Sequence, residues 1–136
     1  MTHDFEIDPD RNLVVRRWTG DVTLEALVRG LAELDQHPNF DPRFDVIEDY
    51  SLASLVVSRA CLEQFRQKWK SLGWNEVGRW VTVMPQDLEY GIGRQVKALW
   101  DLDNAMVFRT QEEALAWLGH SGGDSNASFQ AIVRPA

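Results

Sequence analysis

Leu13-Val-Val-Arg-Arg-Trp-Thr19-Gly20-Asp21-Val22-Thr23-Leu24-Glu25-Ala26-Leu27 is the stretch whose reading decides the fold. Its first seven residues are rich in β-branched and aromatic side chains, which suit a pleated, half-buried strand. Gly20 is expected to end that strand, and Thr23 offers a hydroxyl to cap a helix reaching about Gln36. Leu24, Leu27, Val28, Leu31 and Leu34 follow at spacings of 3, 1, 3 and 3, which draws one apolar stripe along a helix. Pro38 bars continuation, because it has no N–H to donate. A strand running straight into an amphipathic helix is the first half of a βαβ unit.

Towards the N-terminus, Phe5–Asp8 alternates as a short strand. Asp8-Pro9-Asp10-Arg11-Asn12 then supplies turn residues, so an antiparallel hairpin with Leu13–Thr19 is predicted. Towards the C-terminus the strand–helix alternation repeats. Asp45–Tyr50 reads as a third strand. Ser58 caps a helix to about Leu72, with Leu62, Phe65, Trp69 and Leu72 on one face and a left-handed Gly73 at its end. Arg79–Met84 is a fourth strand stopped by Pro85, followed by a helix from about Asp87 to Leu99 and a short strand Met106–Phe108. Thr110-Gln-Glu-Glu113 is a capping box that opens a last helix, Gln111–Leu118, closed by Gly119. The order β-β-α-β-α-β-α-β-α predicts an α/β fold: a mixed, largely parallel sheet of about five strands with helices packed on it through right-handed crossovers. Residues 1–119 read as one domain. Residues 120–136, opening with His120-Ser-Gly-Gly-Asp-Ser-Asn-Ala-Ser128, read as a flexible tail.

Bulk properties narrow the function. The chain has 136 residues, 14 basic and 21 acidic, for a formal charge of −7. That balance repels phosphate backbones and argues against nucleic-acid binding. No apolar run reaches the roughly 18 residues of a membrane span, and the start lacks a basic and apolar leader, so a cytoplasmic protein is expected. Cys61 is the single cysteine, which excludes an internal disulfide, and its helical apolar context reads as a small core side chain.

Three stretches together resemble the SpoIIAA-like branch of the STAS (anti-sigma-factor antagonist) family. They are Phe5-Glu-Ile-Asp-Pro9 with the strand ending Trp18-Thr19-Gly20; Asp49-Tyr50-Ser51-Leu52-Ala53; and Val107-Phe108-Arg109-Thr110 leading into Glu113-Ala114-Leu115-Ala116-Trp117-Leu118. The resemblance spans about residues 4–118. It implies a STAS-like fold and a non-catalytic binding or switch module acting through protein partners. It also implies, for this branch, lipid or peripheral membrane association. In regulatory members a serine at the start of the helix after the third strand is phosphorylated, within an Asp-Ser-Ser/Thr-Gly run. Ser58 occupies that place here, but Val57 and Ala60 stand where the run has its aspartate and glycine.

Five residues are candidates for a binding or regulatory site. Asp49, Ser51 and Ser54 are placed at or beyond the end of the third strand, the edge where open α/β sheets bind ligands; turn residues bonding their own backbone are the favoured explanation of them. Ser58 is either a phosphoacceptor or simply a helix N-cap. Arg94 follows Gly91-Ile92-Gly93, a run too bare for a phosphate loop and better explained by close packing of a helix. His3, His37 and His120 have no metal-ligand spacing, so no metal, cofactor or catalytic triad is expected. Glu48 and Asp49 fall on opposite faces of their strand, which argues against an acid/base couple.

The expected function is therefore a non-catalytic binding module for a protein partner or a small apolar ligand, with homodimer formation an open option. An alternative is a lipid or apolar-ligand carrier, which predicts a tunnel between helices and sheet. An enzyme with an unrecognised site near Asp49 is the third reading. Six tryptophans bear on this: Trp69 and Trp117 read as core, whereas Trp74, Trp80 and Trp100 stand near element ends, where some could line a cavity or interface but ordinary core filling is the favoured reading.

Overall fold

The computed structural model describes residues 2–73, 77–100 and 104–119. The elements come in the expected order: β1 (Thr2–Asp8), β2 (Leu13–Thr23), α1 (Leu24–Gln36), β3 (Asp45–Val56), α2 (Arg59–Ser71), β4 (Trp80–Val83), α3 (Asp87–Trp100), β5 (Ala105–Phe108) and α4 (Gln111–Trp117). They build a five-stranded mixed sheet of order β1-β2-β3-β4-β5. β1 pairs antiparallel with β2, and every later neighbour is parallel. The strands advance across the sheet in chain order. Right-handed crossovers then deliver α1, α2 and α3 to one face. α4 follows the last strand with no crossover and covers the other face, where Ala114, Leu115 and Leu118 pack on Val15, Ile47, Val81 and Val83.

The caps are as the sequence predicts. The Thr23 hydroxyl accepts from Ala26 N–H at 3.3 Å, and the Ser58 hydroxyl from Cys61 N–H at 3.2 Å. Thr110 accepts from Glu113 N–H at 3.2 Å, while its hydroxyl donates to the Glu113 carboxylate at 3.1 Å. Gly73 and Gly119 take φ of 70° and 78°, the left-handed geometry that closes a helix. The stripe of α1 is buried at Leu27, Leu31 and Leu34, and half-buried at Leu24 and Val28.

Two strand boundaries differ from expectation. β2 does not end at Gly20: that residue turns through φ 75° and the strand runs on to Thr23. β3 does not end at Tyr50 but continues to Val56. The cause is a bulge. Arg17 pairs with Asp49 and Thr19 with Leu52, so Tyr50 and Ser51 together oppose Trp18. One extra residue shifts the alternation by one, and Ala53 faces the core where an unbroken strand would face it away. β2 and β3 thus project as a two-stranded ribbon beyond the level where β4 ends.

Gly93 is the close-packed glycine of the Gly91-Ile92-Gly93 run. A Cβ there would sit 2.9 Å from the Met84 sulfur and 3.0 Å from Val107, whereas one at Gly91 would meet nothing within 4 Å. Cys61 is half-buried rather than core, and its contact with Ser58 lowers its thiol pKa. No helix among the described residues is long and apolar enough to cross a membrane. The predicted tail at 120–136 lies outside the described residues.

Candidate functional site

Most of the expected site residues are held in local structural roles. Asp49 is buried and lies level with Val83, the last residue of β4. Its Oδ1 accepts from the Ser51 amide at 2.9 Å and from the Ser51 hydroxyl, and its Oδ2 from Gln111 Nε2 at 3.4 Å. The Ser51 carbonyl in turn accepts from Gln86 Nε2 at 3.2 Å. Asp49 and Ser51 therefore stitch the bulge of β3 to the starts of α3 and α4. Ser54 lies within the ribbon and is exposed, not on a loop beyond the strand. Ser58 is exposed at the N-terminus of α2, and Arg94 is exposed on α3 with its guanidinium 6.0 Å from the Tyr90 ring. Of the five, only Asp49 and Ser51 are in direct contact. Among the described residues no cluster of three or more metal-ligating side chains is close enough to hold an ion.

The opposite face of the sheet holds a different feature. Here β2 and β3 each carry one charged residue inward. Arg16 and Glu48 are register partners, 1% and 8% exposed, with Arg16 Nε 2.6 Å from Glu48 Oε1. The approach is an ion pair without an aligned N–H···O bond. Arg16 also donates from Nη1 to the Gly30 carbonyl at 3.0 Å, and its guanidinium lies 5.1 Å from the centre of the Trp18 ring. Gly30 permits this approach: a Cβ there would stand 2.9 Å from Trp18 and 3.1 Å from Arg16. Two charges out of water cost several kcal/mol each unless paired, so each depends on the other. Tyr50 completes the group, stacked on Trp18 at 5.8 Å and hydrogen-bonded to Glu48. Burial, and then the Glu48 charge, push its hydroxyl well above the ordinary value, which keeps it a donor.

Above Glu48 and Tyr50 opens a cavity of about 120 Å³, between the sheet and helices α2 and α3. Its walls are mostly aliphatic and aromatic, among them Leu55, Phe65, Trp69, Trp80, Met84 and Val107. Among the described residues the polar exceptions are Glu48, Tyr50, Thr82 and Lys97. The apolar face of α2 is half-buried at Leu62, Phe65, Trp69 and Leu72: the first three line this space, and Phe65, Trp69 and Leu72 also pack against the core around Val46 and Trp80. Trp80 thus lines a cavity, with Trp69 edge-on to it at 4.6 Å. Trp69 and Trp117 pack on core clusters as expected. Trp74 lies outside the described residues, as does the Trp100 side chain.

The sequence analysis weighs Glu48 only as an acid/base partner of Asp49 and His3 only as a metal ligand, and does not single out Arg16. A signal existed: each is a polar residue at a position whose strand neighbours two away face the core. The His3 ring lies 4.2 Å from Trp18 and 5.4 Å from Phe5, and burial followed by the charge of Arg16 lowers its pKa to about 4. Glu33, 3.4 Å away but half-exposed, is too well solvated to reverse this.

No family model matches the chain, and no curated protein matches it. Solved structures do. An uncharacterized DUF3478-family protein with a SpoIIAA-like fold, from Shewanella loihica PV-4, superposes with a TM-score of 0.56 at 18% identity, covering 86% of this chain and 92% of that one. The anti-sigma factor antagonist SpoIIAA in its unphosphorylated form gives 0.47 at 15% identity, over 87% and 98% of the two chains. The phosphorylated form of the Bacillus cell fate determinant SpoIIAA gives 0.48 at 17%, over 86% and 99%. The fold of this chain is thus SpoIIAA-like.

Proposed function

We propose that this chain is a non-catalytic binding module that takes a small apolar ligand into the cavity between the sheet and helices α2 and α3. The observation that carries the reading is the cavity itself, about 120 Å³ of space lined mainly by hydrocarbon and aromatic rings. Dry apolar cavities of about 150 Å³ are known to take up benzene, so this one suits a ligand of similar size or one end of a longer chain. Binding without turnover fits the chemistry of the walls. Glu48, the one carboxylate lining the space among the described residues, is already paired with Arg16, and a paired carboxylate is a poor general base.

Two of the tryptophans, Trp69 and Trp80, line the space, so their fluorescence reports occupancy. Titration with benzene should change the emission saturably in the wild type. Ala105→Leu, which fills the cavity from β5, should abolish that change while leaving the melting temperature equal or higher. If the wild-type emission responds only linearly, with no saturation, the cavity is not a binding site.

A second reading, regulation through a protein partner, has support on the ribbon. Leu52 and Val56 are 63% and 53% exposed there, and Leu88 of α3 is 68% exposed. Ser58 follows directly, exposed at the start of a 13-residue helix with no acidic residue in its first turn. A phosphate there would be favoured by the helix dipole. Ser58→Ala should remove phosphate added by extracts of the native host; unchanged labelling of the variant would rule Ser58 out as the acceptor.

A further inference from the structure

The floor of the cavity is not neutral hydrocarbon, and this bears on what the cavity selects. Glu48 lines the space from β3 at 8% exposure, with its Oε1 buried 2.6 Å from Arg16 Nε and its carboxylate also hydrogen-bonded by Tyr50. Thr82, its register partner on β4, and Tyr50 sit beside it on the same lining. A carboxylate set in an apolar wall keeps lone pairs beyond those its internal partners use, and these accept a donor on a ligand.

On the reading that the cavity binds an apolar ligand, we infer that it selects small neutral apolar molecules carrying one hydroxyl or N–H donor, which Glu48 accepts. Three features set the class. The acceptor is a carboxylate, so a ligand carboxylate meets like charge at the floor. Arg16 and Glu48 together carry no net charge, so a cationic ligand would add an unbalanced charge in a dry site. A purely hydrocarbon ligand offers the Glu48 carboxylate no donor, and a site that offers a hydrogen bond discriminates strongly against the analogue lacking it. Lys97 lines the space from α3, and would attract an acid if that side set the choice instead.

Calorimetric titration with phenol, benzene, benzoate and benzylamine separates these cases, because the four share one ring. Phenol is expected to bind at least tenfold more tightly than benzene, and more tightly than either ion. The paired replacement Arg16→Met/Glu48→Leu removes both charges together, a change that buried ion pairs often tolerate. It should bring phenol down to the affinity of benzene while benzene binding persists. Tyr50→Phe leaves the ion pair intact and frees the carboxylate of its internal donor, so the phenol-to-benzene ratio should rise. Equal affinities for phenol and benzene in the wild type overturn the inference but leave the apolar binding reading standing. A preference for benzoate also overturns it and assigns selection to Lys97. An unchanged or reduced ratio in Tyr50→Phe counts against Glu48 as the acceptor. If none of the four binds the wild type, the binding reading itself falls, and the inference with it.

Discussion

At the scale of single residues, three buried polar groups decide how this molecule responds to change. Glu48 and Arg16 hold one another inside the sheet, so neutralising only one strands the other. Glu48→Gln is expected to destabilise the fold by about 3 kcal/mol, whereas Arg16→Met/Glu48→Leu should cost much less or nothing. Chemical denaturation of the two variants checks this: a single mutant as stable as the double would show that the pair is not mutually dependent. His3 sets a pH dependence of definite sign. Its folded-state pKa of about 4 lies below the ordinary 6.5. Above pH 6.5 the ring is neutral in both states and stability is complete. Between 6.5 and about 4 the unfolded chain takes up a proton that the folded chain refuses, so stability falls as the pH falls. His3→Phe keeps an aromatic ring beside Trp18 and should flatten this part of the stability profile. Equal slopes for variant and wild type would place the acid sensitivity elsewhere.

At the scale of elements, glycines and one clamp govern how the helices sit. Gly91 and Gly93 are two residues apart on α3 but differ in environment. Gly91→Ala adds a methyl into open space and should stabilise the helix by about 0.5–1 kcal/mol. Gly93→Ala drives a Cβ against Met84 and Val107 and should destabilise. Opposite signs in thermal melts are the expected result, and the same sign for both would contradict the packing described here. α4 is fastened differently. Arg79 reaches Asp45 with Nε at 3.2 Å and Nη2 at 2.8 Å, and also donates to the Leu118 carbonyl at 3.1 Å. One guanidinium thus joins β3, β4 and the end of a seven-residue helix. Arg79→Ala is expected to cost about 1–2 kcal/mol, since hydrogen bonds to a charged group exceed neutral ones and this group is partly solvated. Faster amide exchange in α4 than in α1 would accompany it; uniform loss of protection would mean that α4 is not a separately anchored unit.

At the scale of the whole molecule, the sheet has two unlike faces. α4 closes one face tightly over aliphatic side chains, with Val83 1% and Ala114 0% exposed. On the other face, α1 presses directly on Arg16 and Trp18, while α2 and α3 span a space they do not fill. Filling that space by Ala105→Leu should raise the melting temperature by a few degrees, because buried hydrocarbon is gained without displacing packed atoms. A lowered melting temperature would show that the cavity has no room for the added carbons. The same substitution blocks ligand entry under the proposed function, so stability and binding should move in opposite directions.

The sequence alone determined the order and type of every element among the described residues, three of the helix caps and the left-handed glycines Gly73 and Gly119, because each depends on residues within a turn or two. Apolar spacing along α1 and the hydroxyls of Thr23, Ser58 and Thr110 act locally, and local signals are legible in one dimension. What the tertiary structure decided were features whose causes lie far apart in the chain. The bulge at Tyr50–Ser51 exists relative to β2, so the strand could not be followed past Tyr50 by its own alternation. Arg16 and Glu48 are 32 positions apart and become partners only when β2 and β3 align in register. Read singly, each is a charge interrupting an apolar strand, and only side by side are they a neutral pair that can be buried. The cavity is a property of no segment, since it depends on how far α2 and α3 stand from the sheet. Volume between elements is set by the packing of all of them together, and a linear pattern of apolar residues specifies which faces turn inward but not how closely they meet.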